Sequence, residues 1–523
     1  MASAADPARP QLRWAALYRE ADLYKAALRV YTKPLFAWRK ALAASADGRT
    51  LYDFARHGLA NLDRIHAALS RGQYEFRPGL ALRFNFNGRA RTLYVYPWEE
   101  RVVDLVLYRA LVRRLHGWLS PHAWAYRAAG FGVDRCQRAI RRALAPGDGP
   151  RFIVKRDIAE YFASVDHDIL LGQLAGLMEP GDPLFRLLEP RVRFRYLDAG
   201  EERTAARGIP FGTAIACAFA NIHLTAMDRA VAAVPGISYF RYADDLLVEA
   251  RGPRAASDAA DELDRGMAAL NLKDKPSHRL DLNLATPGEG AAVEPGFSPA
   301  GKFRHLGLEF RADGSVGLSR DKFRKLCNLF RYAFRRKAGR IARLKGPEAR
   351  AAIAIGVART VLEGAIRNVA IIDYYLKHVT DEAQIRLLDR WLAEEVLALA
   401  TGGGHRKGSF RVLPYARLRA LGLPSLVHRR RLIVHGHLAS PFFVWKAAQA
   451  ERSAGLAAGR MGGTAARPAH SAPAFSRSPD AAASTKPEGE GAASSRVSWK
   501  TVSAAPIRSF AKPFSSTVGD SVA

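Results

Sequence analysis

The stretch ISYFRYADDLLVEA, residues 237–250, decides how the chain is read. Two short apolar runs flank an adjacent pair of acids, Asp244 and Asp245. Runs of this composition on either side of a tight break predict a β-hairpin with both carboxylates at its turn. Taken alone, Asp-Asp at a turn is ordinary turn chemistry. Between buried strands it is also costly, because burial strengthens the repulsion between neighbouring carboxylates. A bound cation relieves that cost. Magnesium fits, being a hard ion that takes a few carboxylate oxygens and leaves positions open for phosphate.

Working outward, RFIVKRDI (151–158) predicts a strand ending near Asp157, and Asp166 to Leu177 predicts a helix. GIPFG, at 208–212, is a glycine- and proline-punctuated turn that opens an alanine-rich helix running to about Val231. A further helix is expected at 255–270 and a strand pair around 303–318. The order β, α, α, β, β, α, β approximates a split βαβ unit with one helix added. It predicts an α+β fold with an antiparallel sheet covered by helices on one face. In such a sheet Asp157 ends a strand beside the 244–245 turn, and three carboxylates complete a site for two ions. Two ions about 4 Å apart activate an attacking 3′ oxygen and stabilise a leaving pyrophosphate.

The 523 residues carry 80 Lys plus Arg against 50 Asp plus Glu, a net charge of +30. An excess of this size gathers polyanions, which makes nucleic acid the first partner to expect. Residues 451–523 are rich in Ala, Ser, Gly and Pro and predict a disordered tail. Nine of them are Lys or Arg and five are Asp or Glu, so +26 of the charge lies on residues 1–450. No apolar window has the length of a bilayer, and a soluble, cytoplasmic protein without a membrane partner is expected. Cys136, Cys217 and Cys327 are far apart and lack CxxC spacing, which predicts buried free thiols instead of disulfides or a zinc site.

Residues 12–75 read as helices, with Leu23, Ala27, Val30 and Leu35 at roughly helical spacing. Residues 91–115 begin as a strand, turn at Pro97 and continue as an amphipathic helix, whose Arg101, Arg109, Arg113 and Arg114 read as a solvated basic face. From Arg320 to Lys345 there are eleven Lys or Arg and one acid, with Phe323, Leu326, Leu329, Phe330 and Phe334 as an apolar stripe. That pattern predicts one long basic amphipathic helix. Two more helical patterns occupy 350–400. The loop TGGGHRKGS (401–409) lacks phosphate-loop spacing and reads as a basic linker. His428, His435 and His437 lack cysteine or acidic companions, so RNA contact or packing is expected there in preference to a metal.

Three of these segments resemble the palm motifs of reverse transcriptases: KRDIAEYFASVDHDIL (155–170), GIPFGTAIACAFANIHL (208–224) and FRYADDLLV (240–248). The similarity is to the bacterial group that includes intron-encoded, retron, diversity-generating and defence-associated enzymes. LNLKDKPSHR (270–279), with Lys275, is similar to the fourth motif, and FRHLGLEF (303–310) to the primer-grip hairpin. YRAAGFGVDRCQRAI (126–140) loosely resembles the fingers segment ahead of the palm.

The resemblance implies a right-hand polymerase. An N-terminal helical extension and fingers would occupy 1–150 and the palm 151–300. The primer-grip hairpin, helical thumb and C-terminal helical region would occupy 301–450, ahead of the tail at 451–523. It implies extension of a 3′-hydroxyl with dNTPs on an RNA template, expected to be a structured noncoding RNA, from a DNA or RNA primer. Carried over by position, Asp157, Asp244 and Asp245 would hold two Mg²⁺ ions, replaceable by Mn²⁺, with the Ile158 carbonyl as a further ligand. Phe162 falls at the family's aromatic steric gate, with Tyr161 beside it leaving the facing open. Phe211, Gly212 and Lys275 would line the dNTP site, and Tyr242, Leu306 and Gly307 would lie at the primer. Arg324, Arg331 and Arg335 of the thumb helix would meet duplex phosphates.

This chain departs from the commonest family pattern at Phe211, where many members have Gln, and at Thr213 and Ala214, where they have Ser-Pro. Phe211 cannot hydrogen-bond to a base or nucleotide. The departure resembles divergent bacterial lineages linked to antiviral defence. Two other readings stay open: a maturase-like splicing cofactor, and a non-catalytic RNA-binding scaffold. RNA-directed RNA synthesis is disfavoured by Phe162.

Overall fold

A computed structural model describes residues 9–438, apart from 35–36, 87–88, 128–129, 146–148, 180, 286–293, 364–365 and 404–407. The expected tail at 451–523 and the centre of the 401–409 loop therefore lie outside the described residues. The strands, in chain order, are β1 Gly79–Phe86, β2 Arg89–Val95, β3 Arg151–Asp157, β4 Arg195–Asp198, β5 Glu201–Thr204 and β6 Ile237–Tyr242. They continue with β7 Asp245–Ala250, β8 Leu280–Leu284, β9 Ser298–Ala300, β10 Lys302–His305, β11 Leu308–Arg311 and β12 Val316–Leu318. With the helices between them they make the α+β fold the pattern predicted.

The central sheet has the order β6-β7-β3-β8-β9, antiparallel throughout except for the parallel β8–β9 pair. Its register sets Asp157 directly opposite Asp245, and Tyr242 opposite Asp245 across the β6–β7 hairpin. Side chains alternate between two cores. Phe152, Val154, Tyr239, Leu246 and Val248 pack with the helices Ala214–Ala232 and Pro253–Ala269, whereas Ile153, Phe240, Leu247 and Leu282 belong to a second core. That second core contains Cys136 and Ile140 of the helix Val133–Ala143 and Phe303, Phe310 and Val316 of β10, β11 and β12. The sheet is thus covered on both faces, not on one as expected. The uninterrupted apolar run Phe152–Ile153–Val154 is the mark of a strand buried on both sides.

The helix Trp98–Arg114 also departs from its reading. It is buried almost all round: Val102, Val103, Val106, Leu107 and Leu111 are inaccessible or nearly so, and so are Glu100 and Asp104. Arg101 is half-buried against the Trp98 ring at 4.6 Å, and burial lowers its pKa. Only Arg113 and Arg114, at its end, are exposed. Asp104 is engaged by Arg191, Nε to Oδ1 at 2.8 Å and Nη2 to Oδ2 at 2.7 Å. This pair ties the helix to Pro183–Val192.

A second sheet, β2-β1-β4-β5, includes a β4–β5 hairpin that the sequence did not suggest. β5 is exposed along its whole length and reads EERT, so no apolar alternation announces it. After β12 comes the long basic helix, Arg320–Ala342, burying Leu326, Phe330 and Phe334 as its stripe predicted. Three helices follow it where two patterns were read: Pro347–Glu363, Ile366–His378 and Glu382–Thr401. All three cysteines are free and buried. No helix among the described residues is long and apolar enough to cross a membrane.

Candidate active site

The carboxylates meet at one end of the central sheet because β3 ends where the β6–β7 hairpin turns. A backbone bond joins the two, Ile158 N donating to Asp244 O at 3.0 Å, and a second ties the end of β3 to the segment before β8, Lys275 N donating to Asp157 O at 2.8 Å. The turn residue Ala243 adopts φ +59°, the left-handed region that a side chain disfavours.

Each aspartate has its own surroundings. Asp157 receives the Lys275 ammonium on Oδ1, and His278 Nδ1 lies 2.7 Å from Oδ2. Burial and the charge of Asp157 push the Asp244 carboxyl up from 3.8 to about 6. Burial acts the same way on Asp245, but His305 and Lys155 outweigh it and bring that carboxyl down to about 2. His305 Nδ1 stands 3.4 Å and Lys155 Nζ 3.3 Å from Asp245 Oδ1. Lys275, expected at the nucleotide, contacts Asp157 in this structure. Lys155, His278 and His305 were not singled out. Lys155 was legible, two residues before Asp157 on the same strand face, whereas His305 arrives from β10 through long-range folding.

The donor set suits a hard divalent ion. Asp157 and Asp244 repel each other across the strand end, which is what a cation between them would relieve, and carboxylate oxygen is the ligand such ions take. Among the described residues, no three His, Cys, Asp or Glu groups stand close enough to form a ready-made ion site. A metal would therefore compete with Lys275 and His278 for Asp157.

The raised Asp244 pKa has a stability consequence. Its protonated form is favoured by folding, so that contribution is fully present below about pH 4 and is lost as pH rises through about 6. Asp244→Asn is expected to raise the metal-free melting temperature above pH 6 by about 2–4 °C, after discounting for partial exposure, and to leave it unchanged below pH 4. Thermal melts of both proteins across that range check this.

Beyond Asp157 the chain turns sharply at Glu160, φ +44°, into the short helix Tyr161–Ser164. This turn resolves the ambiguity between the two rings. Tyr161 is buried and its hydroxyl donates to Ala220 O at 2.7 Å, so it belongs to the core and not to the nucleotide side. Phe162 is half-buried and meets Phe211 edge-on at 5.4 Å and Tyr126 at 6.2 Å. The 208–212 turn is fastened on both sides: Ile209 N donates to Phe162 O at 2.7 Å, and Tyr94 N to Phe211 O at 3.1 Å. Gly212 has φ +102°, and a Cβ there would come within 2.3 Å of Leu93 Cδ1. Thr213 then caps the helix Ala214–Ala232.

The remaining expected residues are spread wider. Tyr242 packs partly buried against the second core. Leu306 and Gly307 form the two-residue β10–β11 turn, with φ +47° and +83°, and Gln137 Nε2 donates to Leu306 O at 2.9 Å. Arg324 and Arg335 are exposed on the basic helix. Arg331 is not presented in that way: its Nε donates to Glu395 at 2.6 Å and its guanidinium lies over Trp391. It braces two helices.

Residues 100–277 match the family described as reverse transcriptase (RNA-dependent DNA polymerase). Protein YkfC of Escherichia coli strain K12 is 24% identical over 227 residues, covering 36% of this chain and 58% of that protein. The chain thus spans just over half of the curated relative it matches. Solved structures of telomerase are also similar. The apo enzyme of Candida tropicalis, truncated from its C-terminal domain, has 12% identity and a TM-score of 0.37, covering 50% of this chain and 60% of that one. Telomerase of Candida albicans with a fragment of telomeric RNA has 10% identity and a TM-score of 0.38, covering 73% and 69%. The stretch that carries Asp157, Asp244 and Asp245 lies within the residues, 100–277, that match the reverse transcriptase family.

Proposed function

We propose that the protein is an RNA-directed DNA polymerase that extends a nucleic-acid 3′-hydroxyl with dNTPs on an RNA template. The observation that carries this reading is the register of Asp157 against Asp245, with Asp244 at the adjoining turn, inside a reverse transcriptase domain. Asp157, Asp244 and Asp245, with the Ile158 carbonyl, would hold two Mg²⁺ ions. When bound, these ions supply activation of the attacking oxygen and stabilisation of charge on the leaving pyrophosphate. The chain's own part is placement. Strand β3 and the hairpin fix the carboxylates, while the half-buried Phe162 ring stands five residues from Asp157, where it would crowd a ribose 2′-hydroxyl. Exposed Arg324 and Arg335 offer phosphate contacts to a primer–template duplex. We assign the central sheet to a palm and the helices from Arg320 onward to a thumb.

Purified protein given an RNA template, a primer, Mg²⁺ and dNTPs is expected to incorporate dNTPs; none at any metal concentration would overturn the reading. Phe162→Ala is expected to raise NTP use relative to dNTP use by at least about tenfold, read as the ratio of kcat/KM values. An unchanged ratio would place sugar discrimination elsewhere. The Phe211, Thr213 and Ala214 departures support a role in antiviral defence, acting on a structured noncoding RNA. Sequencing of RNA and DNA that co-purify with the protein tests it, with one abundant noncoding RNA and its complementary DNA as the expected result.

A further inference from the structure

The residue before the YADD tyrosine is a cation sealed inside the protein. Arg241 and its partner Asp228 are both 0% exposed. Their fork is bidentate, Nε to Oδ1 and Nη2 to Oδ2, each at 2.7 Å. Tyr239 Oη donates to the same Asp228 Oδ1 at 2.9 Å. The remaining nitrogen, Nη1, donates to Asn221 Oδ1 at 3.1 Å and to the carbonyl of Ala243 at 3.2 Å. On the outer edge of β6, Arg241 N donates to His122 O at 2.9 Å and Trp124 N to Arg241 O at 2.8 Å.

A buried ion pair is a poor stability device, since well-packed apolar residues of like volume often do as well or better. Its advantage is direction. The bond from Nη1 ends on Ala243, the residue at φ +59°, a conformation disfavoured about tenfold for any residue with a Cβ. Strand alternation puts Arg241 on the sheet face against the helix Ala214–Ala232, opposite the face that carries Asp157 and Asp245. It therefore touches none of the carboxylates.

We propose that Arg241 is a positioning residue: locked by Asp228 and Asn221, its guanidinium holds the left-handed Ala243 and so aims the Asp244 and Asp245 carboxylates towards Asp157. The helix Ala214–Ala232 becomes a brace. It begins at the turn bearing Phe211 and carries, near its other end, the aspartate that fixes the acidic hairpin. The inference rests on the polymerase reading only for its kinetic measurement.

The test uses the full chain as wild type, Arg241→Lys, Ala243→Gly and the double variant. Mn²⁺ alone is titrated by calorimetry, melting temperature is recorded, and kcat and KM for dNTP incorporation are measured. Arg241→Lys is expected to weaken Mn²⁺ binding about tenfold and to lower kcat with little change in dNTP KM. Ala243→Gly in the same chain is expected to restore most of both, because glycine adopts the turn unaided. A merely structural arginine would lower melting temperature alone. Unchanged Mn²⁺ affinity, or a loss that glycine does not recover, overturns the proposal. If Arg241→Lys does not fold, the paired change Arg241→Met with Asp228→Leu leaves no charge unpaired and carries the same expectation, including rescue by glycine. A wild type that binds Mn²⁺ yet incorporates no dNTP overturns the polymerase reading alone, while one that binds no Mn²⁺ overturns both.

Discussion

Asp244→Asn is expected to reduce dNTP incorporation by at least about a thousandfold while leaving the protein folded. The size follows from removing one carboxylate of the proposed ion site, where several kcal/mol of charge stabilisation at the reacting phosphate would depend on it. The folded state is expected to survive because Asp244 is held in repulsion with Asp157 and weakens the metal-free protein above pH 6. Lost activity with gained stability separates a catalytic carboxylate from a structural one. Primer extension on an RNA template, run beside a thermal melt, measures both. Retained incorporation would overturn the site assignment, and lost activity with a lowered melting temperature would point to a structural role.

Asp104→Ala is expected to have the largest effect on stability, a loss of about 3–5 kcal/mol, with no change at the carboxylate cluster. Asp104 and Arg191 are each 1% exposed at their side chains, and Arg191 also lies over the Tyr96 ring at 4.1 Å. Removing the aspartate leaves a buried guanidinium without its counter-charge. Replacing both members with apolar residues of similar volume is expected to cost far less. Urea denaturation of the two variants checks the contrast. Equal losses would show that packing volume, and not the orphaned charge, sets the cost.

The acidic hairpin was legible because its signals are local. Apolar runs around Asp244 and Asp245, a strand ending at Asp157 and a punctuated turn at 208–212 all sit within a few residues of the structure they specify. The basic helix from Arg320 was legible for the same reason, its period of apolar residues being complete within itself. The β4–β5 hairpin was not, since a strand exposed along its whole length shows no alternation. Nor was the burial of the helix Trp98–Arg114. Its arginines look like a solvated face until Asp104 finds Arg191, far along the chain, and Arg101 finds an aromatic ring.

The same division runs through the site. Local chain chemistry names the three aspartates, and the resemblance to reverse transcriptases adds the aromatic pair at 161–162. Which ring turns outward depends on the left-handed Glu160 and on a bond from Tyr161 to a different helix. The polar partners of the aspartates come from Lys275 and His278 on one side and from Lys155 and His305 on the other. Arg241 reads as one more basic residue among 80 until the fold sets Asp228 beneath it. A carboxylate's identity is written in the chain, but its pKa, orientation and partners arise from desolvation and contacts between segments far apart in sequence, and these exist only once the sheet has closed over its two cores.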